Sequence, residues 1–264
     1  MQNILIFTDL DGSLLHRDTF KFEEIKEYIK QLLSKGIFII PNTSKTEKEI
    51  LEFNNELGSN LPYISENGSA INGLDLLNSN LPKELILSKE KNNLIKIFKK
   101  SVPINLQNKC KWLSDMDKKN QTMIFGLEDR KLKMALDRKY TIPFIFEGNK
   151  SEKSKLFKVV KKIGLVLQEG GRVINLTDKV NKAKALQVFV RFFKKNNKDV
   201  KTIAVGDNYN DLDMLKISDF PCLVFNDKFT LDEIPINNLI ITNKPSPQGW
   251  ADVIKTALVK INKS

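Results

Sequence analysis

Near its start the chain carries a short apolar run, Ile4-Leu5-Ile6-Phe7, that gives way after Thr8 to Asp9-Leu10-Asp11-Gly12-Ser13. A continuous apolar run of this length suits a strand buried on both faces of a parallel sheet. Open parallel sheets bind ligands beyond the carboxyl ends of their strands. The residues that follow each apolar run are therefore the ones to read. Ile37-Phe38-Ile39-Ile40 leads into Asn42-Thr43-Ser44-Lys45, and Thr202-Ile203-Ala204-Val205 leads into Gly206-Asp207-Asn208-Tyr209-Asn210-Asp211. Carboxylates, hydroxyls and glycines thus gather at one edge of the expected sheet.

The segments between these runs have helical spacing. Phe22, Ile25, Ile29, Leu32 and Leu33 predict a helix that Gly36 ends. Thr46 and Glu49 predict a capping box at the start of a helix reaching Leu57. Pro62-Tyr63-Ile64-Ser65 reads as a third strand entering Glu66-Asn67-Gly68. Residues 182–195 read as a helix buried through Ala185, Leu186, Phe189 and Phe193. A short helix over 211–217, two apolar runs at 222–225 and 239–242, and a last helix from about Gly249-Trp250 complete the pattern. The βαβα alternation of the two outer segments predicts an α/β fold with a mostly parallel sheet. The stretch 83–177 breaks this rhythm. It offers a lysine-rich helix at 89–100 and late strand candidates at 144–146 and 173–176, and reads as an inserted α+β domain. The expected division is a core of residues 1–82 and 178–264 around an insert of 83–177.

Composition narrows the chemistry. With one histidine (His16) and two distant cysteines (Cys110, Cys222), zinc sites and disulfide frameworks are excluded. Any metal must take oxygen ligands, which points to Mg²⁺. The net charge of +11 sits in the insert, where 22 basic and 10 acidic residues give +12 against −1 for the rest. Only five basic residues are arginine, fewer than nucleic-acid binders usually concentrate, so the charge reads as serving a small anion or as a solvated surface, and not nucleic acid. No apolar run approaches the ~18 residues of a membrane span. The N-terminus also lacks the basic start of a signal peptide, so the expected setting is the cytoplasm without membrane attachment.

Asp9-Leu10-Asp11-Gly12-Ser13-Leu14-Leu15 resembles the first motif of the haloacid dehalogenase (HAD) superfamily of phosphohydrolases, with Ser13 where threonine is usual. Thr43 is similar to its second motif, and Lys182 in Asn181-Lys182-Ala183-Lys184-Ala185 to the lysine of its third, with Lys184 as a competitor for that place. Gly206-Asp207-Asn208-Tyr209-Asn210-Asp211 resembles the fourth. The insert lies between the second and third motifs, as in members with a C2-type cap. The resemblance implies a HAD-like Rossmannoid core and a Mg²⁺-dependent phosphatase. Asp9 would be the nucleophile, forming an aspartyl-phosphate, and Asp11 the acid and base. Thr43 would bind a phosphoryl oxygen, and Lys182 would balance charge. The metal would take Asp9, the backbone carbonyl of Asp11 and Asp207. Gly12, Ser44, Asn210 and Asp211 would support the metal or bind phosphate. His16 reads as a surface or hinge residue.

Further strings, among them 43–46, 66–71, 113–116, 135–144, 170–176 and 247–250, resemble the mannosyl-3-phosphoglycerate phosphatase subgroup, with Ile142 where an acidic residue is frequent. That resemblance implies an anionic phosphorylated sugar-glycerate substrate, mannosyl or glucosyl. Lys45, Glu66, Asn67 and Gly68 would help hold the sugar, and Arg138 and Arg172 would offer bidentate donors to the carboxylate. The alternatives are another sugar-phosphate phosphatase, such as the sucrose-phosphate type, and a non-catalytic anion or nucleic-acid binder.

Overall fold

The computed structural model describes residues 3–169, 172–195, 199–227 and 235–263. The chain separates into two compact units. The first comprises Met1–Ser44, Phe53–Leu85 and Asn181–Ser264; the second comprises Lys45–Glu52 and Ile86–Val180.

The first unit is built on a five-stranded sheet in the order Ile240–Ile241, Phe220–Leu223, Val200–Gly206, Asn3–Thr8, Phe38–Pro41. Every pairing in it is parallel. Leu5, Ile6, Phe7, Ile39, Ile40, Ile203, Ala204 and Val205 are all buried, as continuous apolar runs require of strands covered on both faces. The register sets the site. Thr8 stands level with both Val205 and Pro41, so Asp9, Gly206 and Asn42 leave the sheet in one row.

Helices Glu23–Ser34 and Lys182–Lys194 bury the apolar faces their spacing foretold, and the last helix, Gln248–Ile261, buries Trp250, Val253, Ile254, Ala257 and Ile261. Phe189 meets Phe7 edge-on at 5.3 Å between ring centres, a geometry that adds to the ~1.5–3 kcal/mol from burying each ring. The indole of Trp250 donates to Thr8 Oγ1 at 2.9 Å, one residue from Asp9.

One expectation about the sheet is corrected. Tyr63–Ser65 does not extend the parallel sheet as a full strand. It pairs antiparallel with Ala70–Asn72 in a separate three-stranded sheet. A bridge from Ile64 to Asn42 links it to the main sheet. Glu66-Asn67-Gly68 is the turn of that hairpin, with φ of 46°, 59° and 94°.

The second unit holds a four-stranded antiparallel sheet in the order Cys110–Trp112, Ile142–Phe146, Ile174–Thr177, Val166–Glu169. Leu94 and Phe98 of helix Lys91–Ser101 and Leu156 and Val160 of helix Lys150–Lys162 pack with Phe144 and Leu176. The two late strand candidates are present. Sequence reading passed over Cys110–Trp112, Val166–Glu169 and the helix Lys150–Lys162. That helix carries a capping box at Asn149 and Glu152 and an i, i+4 apolar pair, signals that were there to be read. Gly170 and Gly171 lie outside the described residues.

Candidate active site

The strand ends converge as the register requires. Asp9 is buried, and its backbone N–H donates to Val205 O at 2.9 Å. Lys182 Nζ, also buried, lies 2.7 Å from Asp9 Oδ1 and 2.7 Å from Asp211 Oδ1. Lys182 opens its helix because Asn181 caps it, accepting from Lys184 N at 2.8 Å. Lys184 is exposed, so the lysine at the carboxylates is Lys182. Burial pulls the Lys182 ammonium down, but Asp211 and Asp9 outweigh it and hold it above the usual lysine range.

Asp211 is the hub of the loop after Val200–Gly206. Its Oδ2 accepts from Asp207 N and Asn208 N, both at 3.1 Å. A Cβ on Gly206 would lie 2.3 Å from Asp211 Cβ, which accounts for glycine there. Asp207 Oδ1 accepts from Ser13 Oγ at 3.0 Å, so the serine in place of threonine retains a hydroxyl contact. Asp207 Oδ2 accepts from Asn226 Nδ2 at 3.0 Å and from Arg17 Nη2. Burial first, then Asp211 and Asp9, push the Asp207 carboxyl up to about 7, against the pull of Arg17 and Ser13. A Cβ on Gly12 (φ 81°) would come 2.8 Å from Asp207 Oδ2, so this position needs glycine for closeness as well as for the turn.

Asp9, Asp207 and Asp211 each offer a carboxylate oxygen, and the three oxygens lie within 4.8 Å of one another. The donor set is all oxygen, suited to a hard divalent cation. Its mutual repulsion, visible in the raised Asp207, is what such a cation relieves. Asp211 is tied to Lys182 through Oδ1 and to the N–H groups of its own loop through Oδ2, so it serves to hold the loop that carries Asp207. The carboxylate of Asp11, half-buried, is not a member of this group.

Thr43 is fully buried at the end of Phe38–Pro41, with its N–H on Ile64 O at 3.1 Å and its carbonyl accepting from Asn67 N at 2.8 Å. Ser44 follows it, half-buried. Asn42 Nδ2 donates to Lys182 O at 3.0 Å, tying the second strand to the start of the lysine helix. Glu66 and Asn67 are buried, and Asn67 Oδ1 is buried without a hydrogen-bond donor. Gly68 has a packing role: a Cβ there would stand 2.3 Å from Asn181 O. Asn210 lies exposed on the turn Tyr209–Asp211 and is not among the three residues whose carboxylates cluster. His16 Nδ1 accepts from the N–H groups of Asp18 and Thr19, both at 3.3 Å, and so builds a turn.

In the second unit Lys45 and Arg138 meet around Glu49. Lys45 Nζ is 3.3 Å from Glu49 Oε1. Arg138, 8% exposed, donates to Ala135 O and Thr141 Oγ1, each at 3.0 Å. Burial raises the Glu49 carboxyl, but Lys45, Arg138 and two bonds from Thr46 hold it below the usual range. Arg172 is exposed beside Gly126.

Sequence reading assigned no role to Asn42, Asn226 or Arg17. Asn42 and Asn226 each follow an apolar run directly or nearly so, the criterion that found Asp9 and Asp207. Arg17 had no such signal, because a turn brings it back.

A family model described as haloacid dehalogenase-like hydrolase matches residues 6–247. A glucosyl-3-phosphoglycerate/mannosyl-3-phosphoglycerate phosphatase of Persephonella marina is 29% identical over 98% of this chain and 99% of its own. A protein of the same description from Methanococcoides burtonii is also 29% identical, over 98% of each chain. A mannosyl-3-phosphoglycerate phosphatase of Pyrococcus horikoshii is 28% identical over 81% of this chain and 88% of its own. Among solved structures, a HAD-superfamily phosphatase from Bacteroides thetaiotaomicron superposes with a TM-score of 0.71 at 15% identity, covering 97% of this chain and 95% of that one. The sucrose-phosphatase of Synechocystis gives 0.61 at 14% identity, covering 97% and 98%. These two likenesses speak for the fold.

Proposed function

The chain belongs to the haloacid dehalogenase-like hydrolases and is a phosphoric monoester hydrolase; we propose that its substrate is a mannosyl- or glucosyl-3-phosphoglycerate, cleaved to the glycosylglycerate and phosphate. The observation that carries the reading is Lys182 held 2.7 Å from both Asp9 and Asp211, beside Asp207, at the carboxyl edge of a parallel sheet. Two near full-length relatives named for that substrate pair support the choice.

Asp9 attacks phosphorus through a carboxylate oxygen, and the bond from phosphorus to the glycerate oxygen breaks. Asp11 gives its proton to that departing oxygen. Lys182 holds Asp9 Oδ1 in place and offsets the charge gathering on the phosphoryl group, while Thr43 donates a hydrogen bond to it. In the second half, Asp11 takes a proton from water as the water oxygen bonds to phosphorus. The bond to Asp9 then breaks, freeing phosphate and restoring the carboxylate. Asp9, Asp207 and the backbone carbonyl of Asp11 would hold Mg²⁺, which supplies positive charge against the phosphoryl oxygens. Ser13, Asn226 and Asp211 keep Asp207 in place. Residues 83–177 act as the specificity-giving insert. Arg138 of that insert, with Lys45 beside it at Glu49, serves as donor for the substrate carboxylate, with Arg172 a further candidate. Glu66 and Asn67 serve the sugar. The expected setting is the cytoplasm, and among the described residues no helix is long and apolar enough to cross a membrane.

Phosphate release from a substrate panel tests the reading. Mannosyl- or glucosyl-3-phosphoglycerate is expected to lead sucrose 6-phosphate and free 3-phosphoglycerate by at least about tenfold in kcat/KM, about 1.4 kcal/mol of transition-state binding. Equal rates on many sugar phosphates would defeat the substrate choice. Asp9→Asn is expected to fold and to release no phosphate; retained turnover would remove the nucleophile.

A further inference from the structure

Arg17 has no part in the chemistry above, yet its guanidinium lies on the carboxylate that the metal needs. Its Nη2 donates to Asp207 Oδ2, which also accepts from Asn226 Nδ2 at 3.0 Å, while Oδ1 is taken by Ser13 at 3.0 Å. Asp207 therefore has donors at both oxygens. A divalent ion and a guanidinium packed against one buried oxygen repel each other strongly where the dielectric is low. Removing the guanidinium with nothing in its place leaves a buried carboxylate uncompensated, which is also costly. The favourable arrangements hold one cation or the other.

The loop provides the means of exchange. Arg17 is 33% exposed at its side chain, whereas Asp207 is 2% exposed. A cavity of about 310 Å³ lies against it, lined by His16, Arg17, Asp18, Asn226 and Asp227 among others. Two of these, Asp18 and Asp227, are exposed carboxylates that can receive a displaced guanidinium. The two bonds to His16 Nδ1 hold the turn itself, so the side chain moves without unravelling the backbone.

We propose that Arg17 is a tethered counter-ion that neutralises Asp207 while the divalent cation is absent and gives way to it, moving toward Asp18 and Asp227. This rests on the reading that Asp9 and Asp207 hold that cation. The device keeps the empty site from standing as an uncompensated acidic cluster, and it lowers apparent metal affinity by the fraction of molecules with Arg17 withdrawn.

Calorimetric titration of Mg²⁺ into the metal-free full-length protein and its Arg17→Gln variant tests the exchange. A tenfold preference for the paired state predicts about a tenfold lower dissociation constant in the variant. Arg17→Lys, which keeps the competing charge, is expected to bind as the unaltered protein does. In the unaltered protein, Mg²⁺ is expected to speed phenylglyoxal modification of Arg17, followed by peptide mapping. Equal or weaker Mg²⁺ binding by Arg17→Gln, or slower modification with Mg²⁺ present, would overturn the exchange and leave the metal site standing. No binding by any of the three proteins would remove the metal site and the exchange together.

Discussion

Asp207 joins burial to the proposed metal chemistry in a single side chain. Its carboxyl is pushed up to about 7 by burial and by the neighbouring Asp211 and Asp9. A raised carboxyl favours the folded state fully below the ordinary carboxylate range. That contribution is lost as pH rises through 7, so the metal-free protein should lose stability over this interval. If Asp207 is a metal ligand as proposed, Mg²⁺ needs its ionised form, and the apparent affinity should fall by up to about tenfold per pH unit below 7. Calorimetry in buffers of different ionisation enthalpy should register the released proton. Gly68 gives a prediction of another kind. With φ at 94° and a new Cβ 2.3 Å from Asn181 O, Gly68→Ala should cost at least about 2 kcal/mol in denaturant unfolding.

The helix Lys182–Lys194 shows how an element delivers a functional group. Asn181 caps it and also donates to Asp213 Oδ2 at 3.2 Å. Phe189 anchors it against Phe7 of the central strand. The two ends of its support are separable by mutation. Asn181→Ala should lower stability by about 1 kcal/mol, the usual worth of a side-chain cap. Phe189→Ala should cost about 3–5 kcal/mol because the cavity opens in a filled core. Both are read from urea unfolding. The Lys182 side chain itself is inseparable from its partners. Its removal leaves Asp9 and Asp211 facing each other without a cation, so Lys182→Met should abolish phosphate release and destabilise the fold as well.

At the scale of the molecule, the proposed metal site predicts a link between ion binding and folding. Removal of divalent ions should lower the melting temperature, and Mg²⁺ at a hundred times its Kd should restore about 2.7 kcal/mol. Asp207→Asn should lose that dependence. The basic insert should govern substrate choice. Arg138→Lys, which keeps the charge but loses the planar fork, should raise KM for glycosyl-3-phosphoglycerates several-fold while sparing p-nitrophenyl phosphate. An equal loss on both substrates would assign Arg138 to structure alone.

Much of the core was legible because its signals are local. An apolar run followed by Asp-x-Asp-Gly states both a buried strand and what stands at its end, and Thr46 with Glu49 states a helix start in four residues; the capping pair is present, at 2.9 and 3.3 Å. The meeting of Asp9 with Asp207 was expected from the motif resemblance, whereas the order of the strands came from the structure. The insert was less legible. A three-residue strand such as Cys110–Trp112 is too short to show a period, and exists because Ile142–Phe146 pairs with it. Local patterning thus determined the buried strands, the helices and the acidic residues at the strand ends. Only tertiary structure decided that Arg17 rests on Asp207, that Asn42 ties itself to Lys182, and that Glu66-Asn67-Gly68 forms a hairpin turn. Those facts depend on side chains or strands remote in sequence coming within hydrogen-bonding distance, and no periodicity along the chain encodes such distances.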